Sequence, residues 1–234
     1  CNSVPILCYL QDIKKMIRFI EDYMLKKYDV ISFDIFDTLI ERTCSVPADI
    51  FELTGEAVLG KDKAIQFRAD RIEAEHNARH KKTGGEVNIS DIYNELDSAY
   101  AAFSQQLMAE EQRQEIVNCK KKESMYGFFQ KCVASDKCVI LVSDMYLPEQ
   151  VIIKMLEKCG IAGYDDIYIS NCYNSNKLTG KLFELVMDER GTDRKKIIHI
   201  GDSVKADYIG ARKAGIRSIL IGRKNRLKRQ LNSK

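Results

Sequence analysis

The chain has 234 residues, of which 45% are hydrophobic and 30% are charged, and its formal net charge is +3. This composition is typical of a globular protein with one sizeable core and a smaller second module, and it excludes a largely disordered chain. No run of about 18 apolar residues predicts a membrane span. We also predict no nucleic-acid partner.

The first predicted element is an amphipathic helix that ends near Lys27. Apolar residues at positions 13, 16, 17, 20 and 24 fall on one helical face. We assign residues 1–28 to an N-terminal helical segment that either packs on the core or joins an upstream domain.

The next element is a short apolar run over 30–33 that predicts a buried strand, and it ends directly on Asp34. A turn containing Phe36 and Thr38 follows. A carboxylate at the carboxyl end of a parallel strand lies where open α/β sheets bind their ligands. The segment by itself is equally compatible with a carboxylate that only caps the strand.

Residues 47–130 contain apolar residues at helical spacing and no strand-like run, which predicts an inserted, all-helical cap domain. Gly84 and Gly85 interrupt the helices, and Ser90 is the predicted N-cap of a helix that begins at Asp91.

One cap helix carries three arginines and two histidines, Arg68, Arg71, Arg79, His76 and His80. We expect these arginines to be solvated on the surface of the helix. The alternative is that one or two of them contact an anionic substrate. The histidine pair has the spacing of metal ligands but no visible third ligand, so we predict no metal there.

Beyond the insert, strand-like and helix-like segments alternate. Strands are predicted over 139–143, 167–170, 197–201 and 216–221, and helices over 148–159, 179–190 and 206–214. This alternation predicts a Rossmann-like α/β fold, in which helices wrap a parallel sheet built from residues 29–46 and 131–223. A basic tail follows over 224–234. We expect it to be solvated, with a membrane surface or a partner as the alternative.

The eight cysteines show no Cys-x-x-Cys pair and no metal-finger spacing. Several fall within predicted helices or strands, as small buried hydrophobic residues do. We therefore expect free thiols and a reducing, cytoplasmic setting, although the even count by itself would also allow disulfides.

Four polar residues near the predicted strand ends complete a chemical set with Asp34: Ser143, Lys177, Asp202 and Asp207. Carboxylates are the ligands that Mg²⁺ prefers, and a hydroxyl and an ammonium suit phosphoryl oxygens. The ordered set predicts a site that holds a phosphoryl group and a divalent cation.

This order of motifs resembles the haloacid dehalogenase (HAD) superfamily of phosphatases and related hydrolases, in the subgroup with a helical cap between the first two motifs. The family's Asp-x-Asp-x-Thr motif is matched by Asp34, Phe36 and Thr38, and its second motif by Ser143. Lys177 matches the third motif and is preferred to Lys181, because Phe183 follows it at the family's spacing. Gly201-Asp202-Ser203 with Asp207 matches the fourth.

The resemblance implies that Asp34 is a nucleophile forming an aspartyl-phosphate. It implies that Mg²⁺ is bound by Asp34, the backbone carbonyl of Phe36 and Asp202. Asp207 either binds the ion or orients its ligands, and the orienting role is slightly favoured. Substrate contacts are expected from Thr38, Ser143, Asp144 and Lys177. We read Asp144 mainly as the N-cap of the following helix and, less favoured, as a substitute acid.

One departure from the family concerns the general acid. Its position holds Phe36, and Asp37 lies one residue late, so efficient hydrolysis of ordinary phosphomonoesters is in doubt. Two alternatives to a phosphatase acting on a small phosphorylated metabolite stay open: a metal-independent dehalogenase, and a non-catalytic HAD module. The Phe-Asp-Ile-Phe-Asp-Thr-Leu phrase resembles a bacterial branch whose HAD modules accompany glycosyltransferases of surface polysaccharide synthesis, which implies an upstream glycosyltransferase domain.

Overall fold

The structure, a computed structural model, describes residues 4–222, with side chains at residue 13 and from residue 15 onward. The predicted basic tail over 224–234 lies outside these residues, as do Cys1 and the side chain of Cys8. Among the described helices, none is long and apolar enough to cross a membrane.

Five short strands form the central sheet. They are β1 (Val30–Phe33), β4 (Cys138–Ser143), β5 (Asp166–Ile169), β6 (Ile197–Gly201) and β7 (Arg217–Leu220). All neighbours are parallel in the order β5-β4-β1-β6-β7. The predicted parallel sheet is therefore confirmed. β1 is its central strand and is fully buried, as its continuous apolar sequence requires.

Helices cover both faces of this sheet. In chain order they are α1 (Val4–Lys27), α6 (Glu123–Val133), α7 (Glu149–Lys158), α8 (Ser170–Tyr173), α9 (Lys181–Arg190) and α10 (Ala211–Lys213), with a π-helix over Val204–Gly210 before α10. The predicted helix over 206–214 is therefore part π-helix and part α-helix. α1 ends at Lys27, as its sequence predicts.

The insert between the first two strands of the sheet is mainly helical. It contains α2 (Asp49–Leu59), α3 (Lys61–Lys81), α4 (Ile89–Tyr93), a 3₁₀ helix over Ser98–Phe103 and α5 (Ser104–Val117). The N-cap of α4 is Asn88, which forms a reciprocal capping box with Asp91, so the prediction of Ser90 was wrong. Asn88 has the extended backbone that an N-cap needs, whereas Ser90 lies inside the helix.

A small antiparallel pair of strands joins the insert to the core. β2 (Ile40–Arg42) pairs with β3 (Cys119–Lys121), so the cap region 47–130 is not helical throughout. The predicted boundary at residue 131 also falls inside α6, where Phe128 and Phe129 pack edge-on against Phe33 of the central strand. The α/β core therefore resumes at α6. Three-residue strands are too short to leave a period-two pattern in a sequence.

A buried ionic cluster holds the cap against the core. Arg71 of α3 is fully buried and binds Glu111 of α5 through two hydrogen bonds of 2.8 and 2.7 Å. Tyr93 of the cap and Tyr146 of the core each donate a hydrogen bond of 2.9 Å to the same carboxylate. Because Tyr146 belongs to the loop after β4, this cluster connects the cap to the carboxyl edge of the sheet.

We expect Arg71→Ala to destabilise the protein by about 3–5 kcal/mol, because it leaves the carboxylate of Glu111 buried without its cation. Urea unfolding would measure this loss. Arg79→Ala on the same helix is the matched control: its pair with Glu75 is exposed, so we expect less than about 0.5 kcal/mol. Equal losses of unfolding free energy in the two variants would show that the buried pair stabilises the protein no more than the exposed pair does.

Candidate active site

The predicted site residues meet at one edge of the sheet. β4, β1 and β6 are adjacent and parallel, so their carboxyl ends lie side by side. Ser143 ends β4, Asp34 directly follows β1 and Asp202 directly follows β6. All three are buried. The strand order thus brings together residues that are more than 160 positions apart in the chain.

The turn after β1 fixes the carboxylate of Asp34. The carbonyl of Ile35 accepts hydrogen bonds from the amides of Leu39 and Ile40, which folds the chain back at once. This fold brings the Thr38 hydroxyl to 2.8 Å from Oδ2 of Asp34, to which it donates. Thr38 is itself fully buried. One carboxylate oxygen of Asp34 is therefore held by the turn.

Lys177 holds the other oxygen of Asp34. Its Nζ lies 2.6 Å from Oδ1 of Asp34 and 2.6 Å from Oδ1 of Asp207, and it also donates to the carbonyl of Val142. Lys181, the competing candidate, is exposed at the start of α9. The structure therefore brings Lys177, not Lys181, to the carboxylate of Asp34.

Asp207 is held by a chain of buried groups that the sequence analysis missed. His199 Nε2 lies 3.1 Å from Oδ1 of Asp207, and His199 Nδ1 lies 2.8 Å from the hydroxyl of Ser32. The amide of Ser203 donates to Oδ2 of Asp207 at 2.7 Å. Ser32 and His199 are paired across β1 and β6. The sequence did contain a signal for this chain of groups, because Ser32 and His199 are each the only polar residue in an otherwise apolar strand.

A glycine makes room for Asp207. A Cβ at Gly201 would lie 2.3 Å from Cγ of Asp207 and 2.4 Å from its Oδ2, far inside van der Waals contact. Only glycine at the end of β6 lets Asp207 approach the strand so closely. The Gly-Asp-Ser phrase thus has a packing reason as well as a chemical one.

Asp34, Asp202 and Asp207 form a buried carboxylate cluster. One oxygen from each lies within 4.8 Å of the others, and among the described residues this is the only such group of three side chains. Three carboxylates face one ammonium, so the cluster carries an excess of two negative charges when fully ionised. A small divalent cation with oxygen ligands fits both the donor type and this charge.

The ionisation of the cluster is unequal. Burial raises the pKa of Asp34 to about 7, although Lys177 opposes the shift. Burial also opposes ionisation of Asp207, but Lys177 and His199 outweigh it and hold the pKa of Asp207 well below its ordinary value. For Lys177, burial is likewise outweighed, and the two carboxylates hold its pKa above the ordinary value. The ammonium of Lys177 is therefore charged at neutral pH, and of the two carboxylates that it contacts, Asp207 is the more readily ionised.

Phe36 occupies the position at which the resemblance implies a general acid, and its ring packs against Arg42. The guanidinium of Arg42 lies 5.0 Å from the centre of its ring, and Arg42 in turn makes two hydrogen bonds of 2.8 and 2.7 Å to Glu115 of the cap. The Phe36 side chain itself has no group that could donate a proton. That the Phe36 carbonyl binds a metal stays a prediction.

The structure corrects the main interpretation of Asp144. Asp144 does not cap the following helix, because the N-cap of α7 is Pro148. Instead its Oδ1 accepts a hydrogen bond of 2.9 Å from the backbone amide of Lys177. Burial raises the pKa of Asp144, and Lys177 opposes this shift. Asp144 therefore connects the second and third motifs directly.

The cap arginines are paired with protein carboxylates. Arg68 pairs with Glu52 and Asp49, Arg79 pairs with Glu75, and Arg71 is consumed by the buried cluster described above. His76 and His80 stack at a centroid distance of 6.3 Å. They belong to no group of three metal-capable side chains in the described residues.

Comparison with known proteins shows a resemblance at the level of the family. The model of the haloacid dehalogenase-like hydrolases matches residues 28–215, which is most of the chain. Among curated protein sequences, no relative matches significantly.

Solved structures with the same fold include both dehalogenases and hydrolases of other kinds. A 2-haloacid dehalogenase from Pseudomonas syringae has a TM-score of 0.60 at 16% identity, covering 88% of this chain and 99% of its own. The candidate HAD hydrolase YfnB from Bacillus subtilis, bound to magnesium, has a TM-score of 0.59 at 17% identity, covering 83% and 87%. A candidate phosphatase from Clostridium difficile has a TM-score of 0.54 at 18% identity, covering 87% and 91%.

Proposed function

Because the chain belongs to the haloacid dehalogenase-like hydrolases, we propose that it is a Mg²⁺-dependent phosphatase acting on a small phosphorylated metabolite. The observation that carries this proposal is the buried cluster of Asp34, Asp202 and Asp207 beside Lys177. A divalent cation bound by this cluster would offset the charge of a dianionic phosphate substrate. A metal-independent dehalogenase would not use the cluster in this way.

In this proposal, Asp34 Oδ attacks phosphorus, the bond to the leaving-group oxygen breaks, and an aspartyl-phosphate forms. Water then attacks that phosphorus and the bond to Asp34 breaks, which releases inorganic phosphate and the Asp34 carboxylate. Solvent supplies the proton that the departed alkoxide takes up, and the attacking water returns one to solvent. Lys177 and Ser143 hold phosphoryl oxygens, and Thr38 keeps the attacking carboxylate in orientation. Mg²⁺, held by Asp34, Asp202, the Phe36 carbonyl and, directly or through its orientation of the others, Asp207, would neutralise charge on the phosphoryl group.

A dehalogenase is the second candidate, favoured by one observation. Phe36 supplies no proton, and displacement of a halide by a carboxylate needs none. Halide displacement also needs no metal, so in that reaction Asp202 would have no cation to bind and Asp207 would only hold Lys177. A non-catalytic module is the third reading, and the ordered contacts of Lys177 with both carboxylates speak against it.

One assay separates the three readings. The protein would be tested with a panel of phosphate esters and acyl phosphates and with 2-chloropropionate, each with added Mg²⁺ and with excess chelator. We expect phosphate release that requires Mg²⁺ and no chloride release. Chloride release in chelator would replace the proposal by the dehalogenase. No release from any substrate would favour the non-catalytic module.

We expect Asp202→Ala to weaken Mg²⁺ binding most and Asp207→Ala to weaken it less. Asp207 has both oxygens engaged by Lys177, His199 and the Ser203 amide, so its part in the site is largely orientation. Isothermal titration of each variant with Mg²⁺ measures the order. Asp136→Ala, an exposed carboxylate in the turn before β4, is the control and should bind like wild type. A larger loss in Asp207→Ala than in Asp202→Ala would reverse these two roles.

A further inference from the structure

The cap touches the active-site loops at a second point, through residues other than those of the Arg71 cluster. The loop between α3 and α4 contains Gly84, Gly85 and Glu86, and it lies against the core loop that leads to Lys177. Gly85 approaches Asn174 so closely that a Cβ there would lie 2.7 Å from the Asn174 Oδ1. Asn174 itself adopts a left-handed backbone with φ of 48°. The two loops are therefore fitted to each other.

Glu86 makes the specific contacts of this loop. Its carboxylate accepts a hydrogen bond of 2.8 Å from the side-chain amide of Asn176 and one of 3.1 Å from the hydroxyl of Ser170. Its backbone amide donates to Asn174 Oδ1 at 2.8 Å. One cap residue thus bonds three core residues, and each of its carboxylate oxygens has a different core partner.

Those partners lie beside the groups expected to hold the phosphoryl oxygens. Ser170 Oγ accepts a hydrogen bond of 3.0 Å from the amide of Met145, two residues after Ser143. Asn176 directly precedes Lys177, whose amide is bound by Asp144. Glu86 therefore connects the loop after β4 and the loop that carries Lys177, and it does so from the cap.

We propose that Glu86 is a positioning residue, which makes the placement of Ser143 and Lys177 depend on the seating of the cap. This role rests on the proposed phosphatase function, since it concerns the side chains that would hold the phosphoryl group. A carboxylate suits the role because it accepts from a hydroxyl and an amide at once. When the cap loop moves away, Ser170 and Asn176 lose their hydrogen bonds to Glu86. The residue directly before Lys177 is then no longer held by the cap.

The first test measures order without any catalysis. Amide hydrogen exchange at Met145 and Lys177 would be compared in wild-type protein, Glu86→Ala and Glu73→Ala. Glu73 is an exposed cap carboxylate on α3 and serves as the matched control. We expect faster exchange at both amides in Glu86→Ala alone, because local opening becomes easier when its hydrogen bonds are lost. Unchanged exchange at both amides would overturn the proposal.

The second test uses turnover. In Glu86→Ala we expect kcat to fall by about 10- to 100-fold, the range expected for a misplacement of about 1 Å, while KM changes little. Glu86→Gln keeps an acceptor for Asn176 and should recover much of the loss. Asn176→Ala should add little to Glu86→Ala, because both changes break the same contact. A merely structural clasp would lower the melting temperature and leave kcat unchanged.

The two tests keep this inference distinct from the proposed function. If wild-type protein hydrolyses no phosphate, the phosphatase proposal fails, while faster exchange at both amides in Glu86→Ala still supports positioning by the cap. If wild-type protein is active and Glu86→Ala matches it in exchange and kcat, the positioning role is wrong and the phosphatase proposal stands.

Discussion

Asp34→Asn is expected to abolish phosphate release, with a loss of at least about 10³-fold in kcat, because an amide oxygen is a far poorer nucleophile than a carboxylate. The fold should survive. Burial raises the pKa of Asp34 to about 7 in the absence of a cation, so its site already tolerates a neutral group. The amide also keeps an oxygen that can accept from Thr38. Initial rates with Mg²⁺ and a saturating substrate measure the loss.

Asp37→Asn is the matched control for this variant. Asp37 lies three residues further along the same turn and has a positive φ of 58°, a conformation that asparagine adopts readily. Its amide donates to the carbonyl of Ile40, and its own carbonyl accepts from Lys122, so the backbone contacts do not depend on its carboxylate. We expect activity close to wild type. Turnover above a few per cent in folded Asp34→Asn would show that Asp34 is not the nucleophile.

The second large effect concerns the leaving group. With Phe36 in the general-acid position, a departing alkoxide receives little help from a proton, and such help is typically worth about 10²–10⁴ in rate. We therefore expect slow turnover of sugar phosphates and relatively faster turnover of acetyl phosphate and p-nitrophenyl phosphate. The ratio of kcat/KM between activated and unactivated substrates measures the effect.

Phe36→Asp should narrow this ratio, and Phe36→Asn is its non-ionisable control. The new carboxyl would lie close to Arg42, which now packs over the Phe36 ring. A cation there lowers the pKa of a carboxyl group and so leaves a smaller fraction of it protonated at neutral pH, and we therefore expect partial recovery. Equal ratios in the two variants would show that the carboxyl does not reach the leaving group.

Fast turnover of an unactivated sugar phosphate by the wild-type protein would contradict the prediction. Another group would then supply the proton. Asp144 is the first candidate, because its carboxyl is partly buried, its pKa is raised by burial, and it bonds the amide of Lys177. Loss of that activity in Asp144→Asn, with Asp37→Asn unaffected, would identify it.

The sequence by itself determined the strands, most of the helices and the identity of the chemical groups. Apolar runs that end in Asp34, Ser143 and Gly201 indicated buried parallel strands, because only such strands need to be apolar on both faces. Since parallel strands share one carboxyl edge, those residues were expected at the same edge of the sheet, and the strand order makes them neighbours there. Spacing to Phe183 also favoured Lys177 over Lys181, and the structure places Lys177 at the carboxylates.

Contacts between segments distant in the chain were decided by the tertiary structure alone. The interpretation of Asp144 as a helix cap failed, because its partner is the amide of a residue 33 positions away. The pairing of His199 with Ser32 and Asp207 depends on strand register.

The contacts of the cap had the same origin. Glu86 meets Ser170 and Asn176 only because the cap folds back on the core, and Arg71 is buried by aromatic residues from both parts. Periodic patterns in a sequence indicate burial and turns, because these depend on residues that are close together in the chain. A hydrogen bond across 80 or more residues leaves no such periodic trace, so only the folded chain shows which polar groups share a partner.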